Sequence, residues 1–264
     1  MIWIDFALLW YAAFCLCSIL GERIFQWERL ALAFILSLAL KSLILFFLIL
    51  FGIQPTDIIQ TGTSSIVLAM SLMFSAKPDW KGIERSGKGA GLIQITCISV
   101  GVLFLLSLVN AWFFPITESD AIWYHIRGMS FFHEIRFDSE WVVPQLKQYP
   151  PFIPLLFTYL ISFDVGFFKI FFPFLFLCLN IILFFRILLL TESKKMACLF
   201  TMVLATTPYF WWHGALPFLD LTTAVFYSTG SLYWYFWIEN KMEGSTEKNE
   251  ENSYATISGI LLGL

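Results

Sequence analysis

The chain has 264 residues, of which 59% are apolar, 19% aromatic and only 13% charged, with a mean hydropathy of +0.77. Soluble domains run near 45–50% apolar and about 25% charged, so an ordinary soluble enzyme and a disordered tail are both excluded. With 16 Lys+Arg against 19 Asp+Glu the net charge is −3, which leaves no basic footprint for a nucleic-acid backbone.

Apolar runs at about 1–20, 30–51, 61–76, 90–114, 166–190, 196–212 and 219–238 predict about seven spanning helices of roughly 20 residues each. The first run has no basic segment before it, so it is expected to stay as a membrane helix rather than be cleaved as a signal. An eighth run begins near Tyr254 and reaches Leu264 after about eleven residues, too few for a ~30 Å hydrocarbon layer. The expectation is a polytopic, all-α integral membrane bundle whose sequence ends inside a truncated eighth helix. Cys15, Cys17, Cys97, Cys178 and Cys198 all fall in apolar runs without His or carboxylate partners, and read as small packing residues.

Basic residues set the orientation. Arg23, Arg29, Lys77, Lys81, Arg85, Lys88, Lys194, Lys195, Lys241 and Lys248 fall on alternate connections, which places that side in the cytoplasm and the N-terminus outside. The stretch 151–163, PFIPLLFTYLISF, is apolar but only about thirteen residues long. Runs of that length rarely span, so a short re-entrant or interfacial helix is expected there. Lys41 stands mid-run and must face the bundle or reach for the interface. It is the clear mid-run charge, and it receives no role at this stage.

The informative segment is the outer loop. About residues 115–150 hold Glu118, Asp120, Glu134, Asp138 and Glu140, with His125 and His133. On a helix from Ser119, residues Asp120, Tyr124, Arg127, Phe131 and Glu134 share one face, opposite Ala121, Ile122, Ile126, Met129 and Phe132. That pattern predicts an amphipathic helix lying at the membrane surface. Asp120 can accept a proton from an incoming hydroxyl, or bind a divalent cation with Glu118 as a second oxygen ligand. Equally, Thr117-Glu-Ser-Asp120 fits a capping box, with Asp120 folding back on Thr117. A second outer acid, Asp220, follows the turn from His213 at the mouth of the seventh run, where it either faces a cavity or caps the helix. His125 reads as a packing residue or a ligand contact, and His213 as part of an aromatic belt or of the same site. Arg127 suits a lipid phosphate or an ion pair with Glu134. Trp112, Trp123, Trp141, Trp211 and Trp212 would mark the outer interface, with Trp234 and Trp237 at the inner one.

Two stretches carry a resemblance. Ser119-Asp120-Ala121-Ile-Trp-Tyr124-His125-Ile-Arg127, followed by Gln148-Tyr149-Pro150-Pro151-Phe-Ile-Pro154, resembles the first outer loop of GT-C-type membrane glycosyltransferases. The nearest group is the protein O-mannosyltransferase-like and lipid A aminoarabinose-transferase-like set. Leu204-Ala-Thr-Thr-Pro208-Tyr-Phe, leading to Asp220, resembles that family's next helix pair and its second outer acid, and Lys194–Lys195 its basic inner turn. The resemblance covers about residues 90–264 and leaves 1–89 as additional N-terminal membrane helices with a basic inner loop. The stretch 115–165 becomes the outer acidic loop, and further C-terminal helices are expected beyond this sequence. Ala121 stands where some members carry a second acid.

The resemblance implies transfer of a sugar from a polyprenyl-phosphate donor to a lipid, glycan or protein acceptor at the extracytoplasmic face of a bacterial plasma membrane. Asp120 would be the base of an inverting displacement, and Asp220 would orient donor or acceptor. Glu118, Tyr124, His125, Arg127, Tyr149 and His213 would contact substrate. The resemblance fixes no cofactor, and a divalent cation at Asp120 and Glu118 fits. Membrane lipids are the surrounding partners. Two competing readings are a transporter or flippase of a lipid-linked substrate, which needs ionisable residues deep in the bundle, and a non-catalytic assembly subunit.

Overall fold

A computed structural model describes residues 1–18, 24–74, 90–137, 140, 142, 144–147, 150–163, 168–243 and 248–263. Every regular element among them is helical. In chain order these are α1 (Ile2–Cys17), α2 (Gln26–Leu50), α3 (Asp57–Phe74), α4 (Ala90–Phe113), α5 (Ser119–Glu134), α6 (Pro144–Lys147), α7 (Phe152–Ile161), α8 (Phe171–Thr191), α9 (Lys194–Thr206), α10 (Pro208–His213), α11 (Leu219–Glu243) and α12 (Lys248–Leu262). A 3-10 turn, Phe168–Ile170, leads into α8. Three segments among the described residues, Gln26–Leu50, Gly91–Phe113 and Phe168–Thr191, are long and apolar enough to cross a membrane, as a helical membrane protein requires.

The predicted run 196–212 is two helices. Thr207 is extended, as a residue before proline prefers, and Pro208 restarts the chain as the first residue of α10, where its missing N–H is not needed. The restart turns α10 out of line with α9. It is held there by Trp211, whose Nε1 donates to the Leu103 carbonyl of α4 at 3.1 Å.

Helix α2 is the centre of the bundle. Its residues from Ala31 to Ala39 are buried without a break, and it packs against α1, α7 and α8. The short α7 lies inside this core, with Leu155–Leu160 buried. At ~1.5 Å per residue it reaches only about 15 Å, half a hydrocarbon layer.

Two helix pairs approach closely through glycine. In α5 a Cβ on Gly128 would sit 3.0 Å from the Thr158 nitrogen, Phe157 Cβ and Ile161 Cδ1 of α7. The gap is closed by Thr158 Oγ1, which donates to the Gly128 carbonyl at 2.9 Å. In α11 a Cβ on Gly230 would sit 2.8 Å from Leu262 of α12, and Ser258 donates to the Gly230 carbonyl at 2.9 Å. Small residues with cross-helix hydroxyl bonds are how helices associate when no water drives them together.

Buried ion pairs tie distant helices. Lys41 Nζ lies 3.0 and 2.9 Å from the two Asp5 oxygens, and Ser64 donates to Asp5 at 2.6 Å, so α1, α2 and α3 meet at one carboxylate. The Lys41 ammonium also lies 4.8 Å from the Tyr159 ring of α7. Further along α2, Glu28 pairs with Arg186 of α8 and accepts from the Tyr233 hydroxyl of α11 at 2.9 Å. Lys41 is therefore not the sole charge inside the apolar helices: Asp5, Glu28 and Arg186 are buried with it. Four of the five cysteines are buried packing residues as expected, whereas Cys97 is exposed.

Candidate functional site

The site is built from the start of α5, the first turns of α11 and the short α10. Helix α5 begins at Ser119 with Glu118 as its N-cap, and no side chain caps it. The Glu118 carboxylate instead accepts from the Thr117 nitrogen at 3.2 Å. The capping box is thereby corrected: Asp120 is the second helical residue, is exposed, and is not engaged in a cap. Lys169 of the 3-10 turn donates to the Phe114 carbonyl at the end of α4, satisfying an orphan helix-terminal oxygen with a cation.

The inward face of α5 also differs from expectation. Ala121, Arg127, Gly128, Ser130 and Phe131 are buried, while Ile122 and Trp123 are exposed. The face that carries Tyr124, Arg127 and Phe131 thus turns into the bundle. The physical reason is Gly128, the one position on the helix without a side chain, which lets that face close on α7. Arg127 is 2% exposed and its guanidinium lies 5.6 Å from the Phe131 ring. The ion-pair alternative for Arg127 is also corrected, because Glu134 pairs with Arg136 at 3.2 Å. His125 is half-buried, its ring 5.3 Å from Phe168, and its Nδ1 has no hydrogen-bond partner. Burial pulls its pKa below the ordinary histidine value.

A cavity of about 660 Å³ lies between the α5–α7 pair and the α11–α12 pair, within the usual range for small-molecule sites. Tyr124, Pro150, Ile153, Asp220, Thr223 and Tyr227 are among its lining residues. The structure therefore brings Tyr124 and Asp220, 96 positions apart in sequence, to one cavity. Asp120 sits one helical turn before Tyr124 on the same face of α5. Among the described residues, no Lys, Arg or His lines the cavity. Tyr227 also borders a second, apolar groove of about 540 Å³ formed by Leu179 and Leu183 of α8, Leu204 of α9, and Ser231 and Tyr235 of α11.

Asp220 is the second residue of α11, inside the first turn rather than at the cap. There it meets the positive end of the helix. The Tyr209 hydroxyl donates to Asp220 Oδ2 at 3.2 Å. His213 is buried, with Nδ1 3.9 Å from the same oxygen. Burial lowers the pKa of His213, and the Asp220 charge opposes that shift. The rings of Tyr209 and His213 stack 4.1 Å apart, and Phe218 covers the imidazole at 4.8 Å.

Tyr149 lies outside the described residues. Glu118, Asp120, His125 and Arg127, on or beside α5, and His213 of α10 are not among the residues that line the cavity. For a cation, Glu118 and Asp120 offer two carboxylates, and no group of three or more His, Cys, Asp or Glu gathers among the described residues. Tyr209, Thr223 and Tyr227 escaped the sequence reading. Only Tyr209 carried a signal, standing four residues before His213 on a helix opened by Pro208. No family model, curated protein or solved structure matches the chain.

Proposed function

We propose that the chain is a GT-C-like membrane glycosyltransferase module that moves a sugar from a polyprenyl-phosphate donor to an acceptor hydroxyl. The carrying observation is the single cavity that joins Tyr124, one turn from Asp120, to Asp220. Its described lining of a carboxylate, a threonine hydroxyl and tyrosine rings suits the hydroxyl-rich sugar or acceptor and includes no cation for a phosphate. Arg127, one turn beyond Tyr124 but buried and outside the cavity lining, is given the phosphate by the resemblance alone. The apolar groove that shares Tyr227 matches the hydrocarbon chain of the donor. In this reading Asp120 takes the proton from the acceptor hydroxyl, the freed oxygen forms its bond to the anomeric carbon, and the lipid phosphate leaves with the electron pair of the broken bond. Configuration inverts. Asp220 accepts a sugar hydroxyl and fixes the ring. Asp120 and Glu118 would be the residues to hold a divalent cation.

The reading carries a topology of about seven spans. The N-terminus and the α5–α7 segment lie outside a bacterial plasma membrane, and the Lys194–Lys195 turn lies inside. Basic residues on alternate connections support it, as does the half-depth of α7. Transport is the second reading, favoured by Asp5, Lys41, Glu28 and Arg186 deep among the helices. Those groups close on one another and do not line the cavity, so glycosyl transfer stands first. Asp120→Asn, with insertion checked separately, is expected to lower transfer from a polyprenyl-phosphate sugar by about 10²–10⁴-fold. Turnover at the wild-type rate would remove Asp120 from the mechanism.

A further inference from the structure

We infer that Tyr209 is a positioning residue that holds Asp220 by one oxygen, and that His213 is the stand-in donor for that same oxygen. The inference rests on the reading that Asp220 orients a ligand in the cavity. Its geometry stands apart from that reading. Pro208 starts α10 at a fixed angle, and the Trp211 bond to Leu103 pins it. Gly214, at its far end, fits against Phe176 so closely that a Cβ would meet Phe176 Cβ at 3.2 Å. Tyr209 and His213 are one turn apart on this anchored helix, and both point at Asp220 Oδ2.

Only Tyr209 makes a hydrogen bond to it, at 3.2 Å. His213 Nδ1 is buried, has no hydrogen-bond partner and stops 3.9 Å short. A carboxylate held by Oδ2 presents Oδ1 in a fixed direction, whereas an unheld one rotates. The groups around the imidazole are Tyr209 from α10, Asp220 from α11 and the uncharged Phe218 ring. Asp220 is the charged group that acts on it among the described residues. At neutral pH the buried imidazole is uncharged. Once protonated it is a cationic donor facing an anion, and the remaining gap closes with a small rotation of either side chain.

The test needs no knowledge of the sugar. In the full chain reconstituted in nanodiscs with ¹³C-carboxylate aspartate, the infrared difference between wild type and Asp220→Asn isolates the Asp220 stretch. Tyr209→Phe removes one hydroxyl and keeps the ring that stacks on His213. The expected result is a shifted, broadened Asp220 band near pH 8 that recovers as pH is lowered past the ordinary histidine value of about 6.5. The recovery should vanish in Tyr209→Phe/His213→Phe. An unshifted band in Tyr209→Phe overturns the positioning role, and recovery that survives in the double variant overturns the part given to His213. With a C55 polyprenyl-phosphate hexose as donor, Tyr209→Phe should raise KM by about threefold to tenfold, the range of one neutral hydrogen bond, at unchanged kcat. A wild-type chain that binds and transfers nothing removes the glycosyltransferase reading, while the infrared result still decides Tyr209.

Discussion

Replacing Glu28 by glutamine tests the packing argument at its most exposed point. Both side chains of the Glu28–Arg186 pair are 0% accessible. The guanidinium lies 4.6, 4.8 and 5.6 Å from the rings of Tyr233, Phe236 and Tyr254. Glutamine keeps the size and one acceptor oxygen for the Tyr233 hydroxyl, so the loss is the negative charge. Arg186 is then a buried cation left with π-faces and the Tyr254 hydroxyl at 3.5 Å, a change that costs about 3–5 kcal/mol when one partner of a buried pair is removed. The retained oxygen sets the expectation at the lower end, about 3 kcal/mol. At ~2–4 °C per kcal/mol for a chain of this size, the midpoint should fall by roughly 6–12 °C. With the exposed Cys97 replaced by serine, Cys17 and Cys178 are buried and free, so a thiol-reactive fluorophore reads unfolding directly. Adding Arg186→Met removes both charges and should restore much of the loss, since a buried pair is often worth little against apolar residues of the same volume. A Glu28→Gln protein within about 1 kcal/mol of wild type, or a double variant no more stable than the single one, would refute the reasoning.

Gly128→Val should destabilise the protein by about 1–3 kcal/mol by overpacking, because the first added carbon already meets the Thr158 backbone at 3.0 Å; thermal midpoints check it against Thr158→Val, expected to cost about 0.5–1.5 kcal/mol. His125 and His213 have folded pKa values below the unfolded one, so the unfolded chain binds more protons in the window beneath about pH 6.5. Stability is then complete above that value and declines as pH falls toward the folded pKa values, a slope that His125→Phe should reduce in denaturant titrations between pH 7 and pH 5. Single cysteines at the exposed positions Ser119 and Lys195 should react with impermeant reagents from opposite sides of the membrane, and labelling of both from one side would overturn the topology.

Helix positions were legible because a bilayer demands long apolar runs, and α2, α4 and α8 follow them closely. The division of 196–212 was also written in the chain, at Pro208, but an apolar run hides a break that costs it no hydropathy. The face of α5 was misread because burial inside a membrane bundle does not follow apolarity: Ile122 and Trp123 can face lipid, which frees Arg127 and Tyr124 to turn inward. The ion pairs were illegible for a different reason. Lys41 demanded a counter-ion, and with Glu28 about 20 Å away along the same helix, the choice of Asp5 depends on how α1 packs against α2. Glu28 finds its partner 158 residues away. Of the site, Asp220 and Tyr124 were legible as outer polar residues, and their common cavity was not, since no local pattern encodes the meeting of α5 with α11.

The two glycine joints bound the cavity on either side, Gly128 with Thr158 in one wall and Gly230 with Ser258 in the other. The first meets the Thr158 backbone and the second packs under the Leu262 side chain, each sealed by a hydroxyl to the glycine carbonyl, so the spacing within each wall is set without Thr223 or Tyr227. Substitutions at Thr223 or Tyr227 can therefore change which molecule is admitted without re-spacing the wall behind them. Such an arrangement lets descendants of this chain drift in selectivity while inheriting the same frame.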